Sequence, residues 1–464
     1  MTGASTARAT AREQAAGAGR SARAPAAMAK LLLGMIALVL VAEVLGPVSI
    51  PLPVGAVVLL PLLWALLLGA GWGALSPRLP AALGLPHALQ ARASHLLQFA
   101  LMLFVAKLSL MVGTSVPRVI ESGTGLIFQE FGHFLGTMVF GLPVALLLGI
   151  KREAIGATFS VGREPSLAII AERFGMHSPE GRGVLAEYLT GTVFGAVFIA
   201  VLASVLTALD VFDPIALAMG AGVGSGSMMA AAAGAVAAQH PPEVARDIAA
   251  FAAASNIITT TVGTYFTLFI SLPATIFAYR VLEPLLGRGR KAHRALEPDV
   301  ASEDEDLEAP DFEEGKDIGP WGIVACWAGC ALMAILANAL NYEGSFDGLT
   351  ALAALATVGV AALATLIARL LPVRLPVVLW CSLFGILATY PAMPWSATIA
   401  SLTERLNFMA LSTPILAFAG LSLAKDIPAF RRLGWRIVLV SLCANAGTFL
   451  GATIIAQFFE HRPL

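Results

Sequence analysis

Two segments near the middle of the chain carry groups that an ordinary lipid-facing helix avoids. The first, GATFSVGREPSLAIIAERFG, runs from Gly156 to Gly175 and sets Arg163 beside Glu164, with Gly162 before them and Pro165 after. An ion near the centre of a bilayer costs several kcal/mol. Pro165 disfavours α geometry at Glu164 and withholds a backbone donor. The sequence therefore predicts unwinding over Gly162–Pro165, with a helix restarting at Pro165 and Ser166 in its first turn. The second segment, ALAMGAGVGSGSMMAAAAGAV, runs from Ala216 to Val236, and its Gly220, Gly222, Gly224 and Gly226 alternate with small residues that include Ser225 and Ser227. That glycine density suits backbone approaching another backbone or a ligand, and MMAAAAGAV then restarts a helix with Ser225 or Ser227 as N-cap.

Each restart would aim amide groups and a helix dipole at its break, an arrangement that favours an anion. Irregular backbone survives at membrane depth only where protein or a watery cavity covers it. Half-helix N-termini can then hold an anionic group, while freed carbonyls and carboxylates hold Na⁺ or H⁺. Neighbouring segments add polar groups: AEYLTGTVFG brings Glu187, Tyr188, Thr190 and Thr192, and SNIITTTVGTYFT brings Ser255, Asn256, Thr259, Thr260, Thr261 and Thr264. Asn256, Thr260 and Thr264 share one helical face. The expected anion site is thus Arg163, Ser166, Gly224, Ser225, Gly226 and Ser227. The expected cation or proton site is Glu164, Asn256, Thr259, Thr260 and Thr264. Plainer readings compete. Arg163–Glu164 could be a surface ion pair, each Thr could bond back to its own helix, and the glycines could serve close packing, although period two rather than four argues against that.

The elements that must position these groups follow from composition. Of 464 residues 58% are hydrophobic and 13% charged, against about 25% charged in soluble domains, and the mean hydropathy is +0.81. An all-α polytopic bundle follows, with about 20 apolar residues per span. Thirteen spans are expected, at 31–50, 52–71, 96–112, 126–150, 154–171, 185–208, 215–238, 250–283, 319–341, 348–370, 375–391, 408–424 and 434–457. Lys and Arg in the short loops place the N-terminus inside. Lys151 and Arg152 then fall inside, Arg173 and Arg182 outside, and the basic run Arg288–Arg294 inside; a re-entrant central segment would change that parity. Residues 1–28 read as a disordered cytoplasmic tail, 29–284 as a first membrane half holding a transport core at 154–283, 285–318 as a charged cytoplasmic linker, and 319–464 as a second half. Glu43 and Lys107 read as snorkelling residues near span ends.

A weak internal echo joins the halves. FVAKLSLMVGTSVP at 104–117 is followed by Phe134-Leu135-Gly136, and FAGLSLAKDIP at 418–428 by Phe449-Leu450-Gly451. The orientation assigned above runs the two Leu-Ser-Leu helices in opposite directions, as an inverted repeat requires. The chain has no His-Glu-x-x-His, no Gly-x-x-x-x-Gly-Lys-Ser/Thr loop and no Gly-x-Ser-x-Gly elbow, so it reads as neither an enzyme nor an ATP-driven pump. The four cysteines read as small packing residues. No resident metal or cofactor is expected beyond the coupling ion, and the net charge of −1 gives no footprint for nucleic acid.

VGREPSLAIIAERFG, MGAGVGSGSMMAAAAGAVA and ASNIITTTVGTYF resemble a bacterial multi-pass membrane family designated domain of unknown function 3100. The resemblance covers most of the chain after the tail and implies a bacterial plasma (inner) membrane, with no activity attached. In architecture alone the pattern is similar to glutamate–sodium symporters and bile-acid-type carriers, which have broken helices and inverted repeats. The expectation is a secondary transporter of a small organic anion, coupled to Na⁺ or H⁺, working in the bilayer by an elevator-like or rocking motion, with a homodimer as one arrangement. Alternatives are an uncoupled channel or exporter-type pore, and a scaffold subunit docking through the acidic linker.

Overall fold

The computed structural model describes residues 27–51, 56–80, 83–121, 123–175, 178–261, 263–287, 318–342, 346–371, 377–431 and 434–460. Most of the expected tail and linker lie outside the described residues. The chain opens with helix α1 (Ala27–Leu45) and a short antiparallel hairpin, β1 (Val48–Pro51) and β2 (Ala56–Leu59). Next come α2 (Pro61–Leu75), α3 (His87–Glu121) and α4 (Gly123–Leu147). The central region holds α5 (Glu153–Thr158), α6 (Arg163–Phe174), α7 (Pro179–Thr190), α8 (Ala196–Ala208), α9 (Pro214–Gly222), α10 (Gly226–Ala237), α11 (Pro242–Thr261), α12 (Gly263–Phe266) and α13 (Leu272–Leu286). The chain closes with α14 (Pro320–Asn341), α15 (Gly348–Leu370), α16 (Val377–Thr389), α17 (Ser396–Thr403), α18 (Phe408–Arg431) and α19 (Trp435–Glu460). Two π-helical segments, Gly191–Gly195 and Thr267–Ser271, link α7 to α8 and α12 to α13.

The bundle is helical as expected, apart from the β-hairpin. Among the described residues eight helices are long and apolar enough to cross a membrane, corresponding to eight of the thirteen expected spans. Of the other five, two fall on α2 and α16, of 15 and 13 residues, 408–424 falls on α18, a helix of 24 residues, and the segments 154–171 and 215–238 are each split in two. The hairpin takes residues that hydropathy had shared between the first two spans, because Gly46 at φ +67° ends α1 early.

Both split segments return to the end they leave. Arg152, just before α5, bonds Glu180 at the start of α7 at 2.8 and 3.1 Å, and Arg182 bonds Glu153 at 3.0 Å. Lys151 also pairs with Glu283 of α13. Hence α5–α6 is a re-entrant hairpin. Arg182 sits at the same end as Lys151 and Arg152, which corrects the opposite-side assignment. The second split segment behaves likewise. Helix α10 runs beside α8, with Met228 against Gly195 and Gln239 donating to the Ser204 carbonyl and hydroxyl at 3.2 and 3.1 Å. Its end therefore meets the end of α8, from which α9 set out. Because α7–α8 forms a continuous apolar stretch of 30 residues, the two hairpins enter from opposite ends.

Helices α4 and α19 cross between them at glycines. A Cβ on Gly132 would strike the Gly451 carbonyl, and one on Gly136 would strike that of Gly447; the reverse substitutions meet the same backbone. Small residues at such a spacing let two helix backbones touch. Around this crossing α3 packs on α16 and α18 on α2. Glu43 and Lys107 do not snorkel, since each is only 2% exposed. Asn341 donates to the Glu43 carboxylate at 2.7 Å, and Lys107 donates to the Thr403 carbonyl at 2.6 Å. Burial requires such partners, because an unpaired charge inside the bundle would cost more than the packing returns.

Two outcomes check this architecture. In intact cells, an impermeant thiol reagent should reach Arg152→Cys and Arg182→Cys from the same side and Glu243→Cys from the other. Labelling of the first two from opposite sides would show that α5–α6 crosses. Gly136→Leu should lower stability by about 1–3 kcal/mol, the usual cost of overpacking, seen as a lower melting temperature. Gly359→Leu, where a side chain meets nothing within 4 Å, should leave it unchanged.

Candidate functional site

The first hairpin tip is Phe159–Gly162. The break lies upstream of the expected Gly162–Pro165, and the helix restarts at Arg163 rather than at Pro165. Proline is tolerated within the first turn, where its missing donor would have no helical partner, so Pro165 need not begin the helix. The Phe159 carbonyl, freed by the break, accepts from the Ser271 hydroxyl in the second π segment. The Gly162 amide donates to Ser160 Oγ at 3.0 Å. Ser166 Oγ is buried and has no hydrogen-bond partner among the described residues. The side chains of Arg163 and Glu164 lie outside the described residues.

The second tip is Val223–Ser225, as the glycine alternation predicts. Gly224 has φ +96°, a left-handed conformation that side chains resist. Ser225 is the N-cap of α10; its Oγ accepts from the Met228 amide at 3.4 Å and lies 3.2 Å from Ser227 Oγ. Gly226 is the first residue of α10. Asn256 donates to the Gly222 and Gly224 carbonyls at 2.7 and 3.2 Å, and Ser255 donates to the Met219 carbonyl at 2.7 Å. Asn256 thus holds the tip with its amide nitrogen. Each tip also lies on a π segment, the first through Ser271 and the second through Met228 against Gly195. Such bulges free backbone groups and are frequent at functional sites.

Of the remaining expected residues, Thr259 donates to Glu130, whereas Thr260 turns back to the Asn256 carbonyl at 2.8 Å and closes on its own helix. The Thr264 side chain lies outside the described residues. The structure therefore joins Asn256 to Gly224 and its neighbours. The two tips sit on either side of the α4–α19 crossing, since Gly141 of α4 packs on Thr158 and Thr453 of α19 packs on Gly220.

That crossing carries polar groups the sequence reading passed over. Glu130 on α4 is 1% exposed. It is met by Thr259, by Gln129 Nε2 at 3.2 Å and by His133 Nδ1 at 3.3 Å. Gln129 also donates to Ser255 Oγ at 2.8 Å, tying the group to the second hairpin. On the other side Asn445 of α19 reaches Glu187 of α7 at 3.4 Å, and Thr137 and Thr448 bond across the crossing at 2.6 Å. A usable signal existed: Glu130 and His133 are ionisable residues inside an apolar run, which marks a site by default. Glu130 and Asn445 also each stand four residues before the Phe of the Phe-Leu-Gly echo.

A sequence profile described as protein of unknown function (DUF3100) matches residues 40–281, more than half the chain. The chain belongs to this family. The match takes in both hairpins and α4 and stops before α14, so the family is defined by the part of the chain that builds the tips. No curated protein and no solved structure matches the chain.

The hydrogen bonds predict unequal mutants. Asn256→Ala leaves two tip carbonyls without their donor and should cost about 1–3 kcal/mol, read as a drop in melting temperature. Thr260→Ala should cost under about 0.5 kcal/mol, as for substitutions away from such features.

Proposed function

We propose that this membrane protein is a secondary transporter of a small organic anion, driven by Na⁺ or H⁺ and resident in the bacterial inner membrane. The observation that carries the reading is the pair of re-entrant hairpins entering from opposite ends, with tips of open backbone capped by polar side chains. Irregular backbone of this kind lines the substrate sites of carriers with discontinuous helices.

The anion binds at the starts of α6 and α10. Ser166 offers a buried hydroxyl with no hydrogen-bond partner among the described residues, Ser225 and Ser227 stand at the cap of α10, and Arg163 opens α6. The helix dipoles favour negative charge at these ends. Transport moves the hairpins and their π-interrupted partners against a scaffold of flanking helices. The arrangement of α5–α8 and α9–α13, each a hairpin followed by a π-interrupted helix, is the basis for reading them as inverted repeats. The chemistry is binding and release, with no bond made or broken.

A thermal-shift screen of the purified protein against small mono-, di- and tricarboxylates, with and without Na⁺, tests the reading. A ligand at about 100 times its Kd adds about 2.7 kcal/mol to stability, so at least one carboxylate should raise the melting temperature. Arg163→Ala and Ser225→Ala should abolish the shift and the uptake of that compound into proteoliposomes. Full uptake by both variants would remove the proposed anion site.

A further inference from the structure

We propose that Glu130 and His133 bind and release one proton as a pair, and that this proton is the coupling ion of the carrier proposed above, on which the inference rests. The pair is enclosed: Glu130 is 1% and His133 2% exposed. Among the described residues, no titratable group other than His133 bonds to Glu130. Among the described residues, the elements packed against α4 also carry Arg92 and Glu121 on α3, Glu243 and Asp247 on α11 and Arg280 on α13, none of them bonded to Glu130, and the other charged side chains there are engaged elsewhere. Glu153 of α5 holds Arg182, Glu283 of α13 holds Lys151, Lys107 of α3 holds the Thr403 carbonyl, Arg246 of α11 lies 3.6 Å from Glu404, and Arg436 of α19 lies over Trp435. A carboxylate buried without a cation is poorly tolerated, and a proton shared with the neighbouring imidazole neutralises it.

The shell around Glu130 favours a proton over Na⁺. A hard cation needs several oxygen lone pairs. Among the described residues the carboxylate is met by donors, the Gln129 amide nitrogen, the Thr259 hydroxyl and an imidazole nitrogen, and the one further oxygen beside it without a hydrogen-bond partner is Gln129 Oε1, too few lone pairs for a hard cation. His133 Nε2 is buried and has no hydrogen-bond partner among the described residues, so the ring holds a second proton position. The balance is simple: unprotonated, the pair carries −1, and with one proton it carries zero. That change acts where it matters for coupling. Glu130 holds Thr259, and Gln129 holds Ser255, on the same helix whose Asn256 clasps the second tip.

Infrared difference spectra of the protein in lipid nanodiscs test this without any solute. The pH is stepped from about 4 to about 9, across the ordinary ranges of carboxylates and imidazoles. A protonated-carboxyl band that titrates in this range should vanish in Glu130→Gln and shift its midpoint in His133→Gln, while adding Na⁺ at fixed pH leaves it in place. No titrating band, a band that survives Glu130→Gln but is lost in Glu187→Gln, or a band erased by Na⁺ would each overturn the proposal. Because the signal is proton binding, it stays readable even if no carboxylate proves to be transported.

Discussion

A carbonyl released from its helix inside an apolar bundle must find a donor, and the central region of this protein is organised around that need. Ser271 serves Phe159, and Asn256 serves Gly222 and Gly224. Asn256 sits on α11 and Ser271 at the end of the π segment that leads into α13, so this stretch of chain has a hand in both hairpins. Its own π segment shifts the helical phase by one residue. Were these donors apolar, each tip would bury unpaired carbonyls at a cost of about 1–3 kcal/mol apiece, and the broken form would lose its advantage over a straight helix.

The glycine crossing of α4 and α19 is the second fixed point. Because the backbones touch at Gly132–Gly451 and Gly136–Gly447, side chains one turn away are drawn into the centre. Glu130, His133, Thr137, Asn445 and Thr448 are all buried there. The hairpins pack on this crossing from both ends, so the polar groups on the crossed pair and those at the tips form one layer. A close-packed scaffold and a polar middle thus come from the same two short words, GHFLG and GTFLG.

Much of this was legible in the residues. The glycine alternation located the second tip, because it weakens the helix there and supplies Ser225 or Ser227 to cap the restart; the cap is Ser225. Charge depletion gave the helical membrane class. The first tip was misplaced by a few residues because Pro165 was read as the start of a helix when it occupies the first turn. Hydropathy measures apolar length and is blind to a chain that doubles back, so two of the thirteen expected spans fall on segments that the structure splits in two. What revealed the return was long-range pairing, Arg152 with Glu180 and Arg182 with Glu153, which no local pattern encodes. Glu130 and His133 lie within the helix Gly123–Leu147, where no break in the backbone marks them.

The partnership of α4 with α19 also bears on how the protein is made. The two glycine words are separated by more than 300 residues of chain, and synthesis runs from the N-terminus. Both hairpins therefore leave the ribosome long before the surface that should floor them exists. Until Trp435–Glu460 emerges, the polar face of α4 and the undersides of both hairpins must be sheltered by the insertion machinery or by one another. Helix α19 is then the closing piece of the core, and the central region is completed only once that segment has been made.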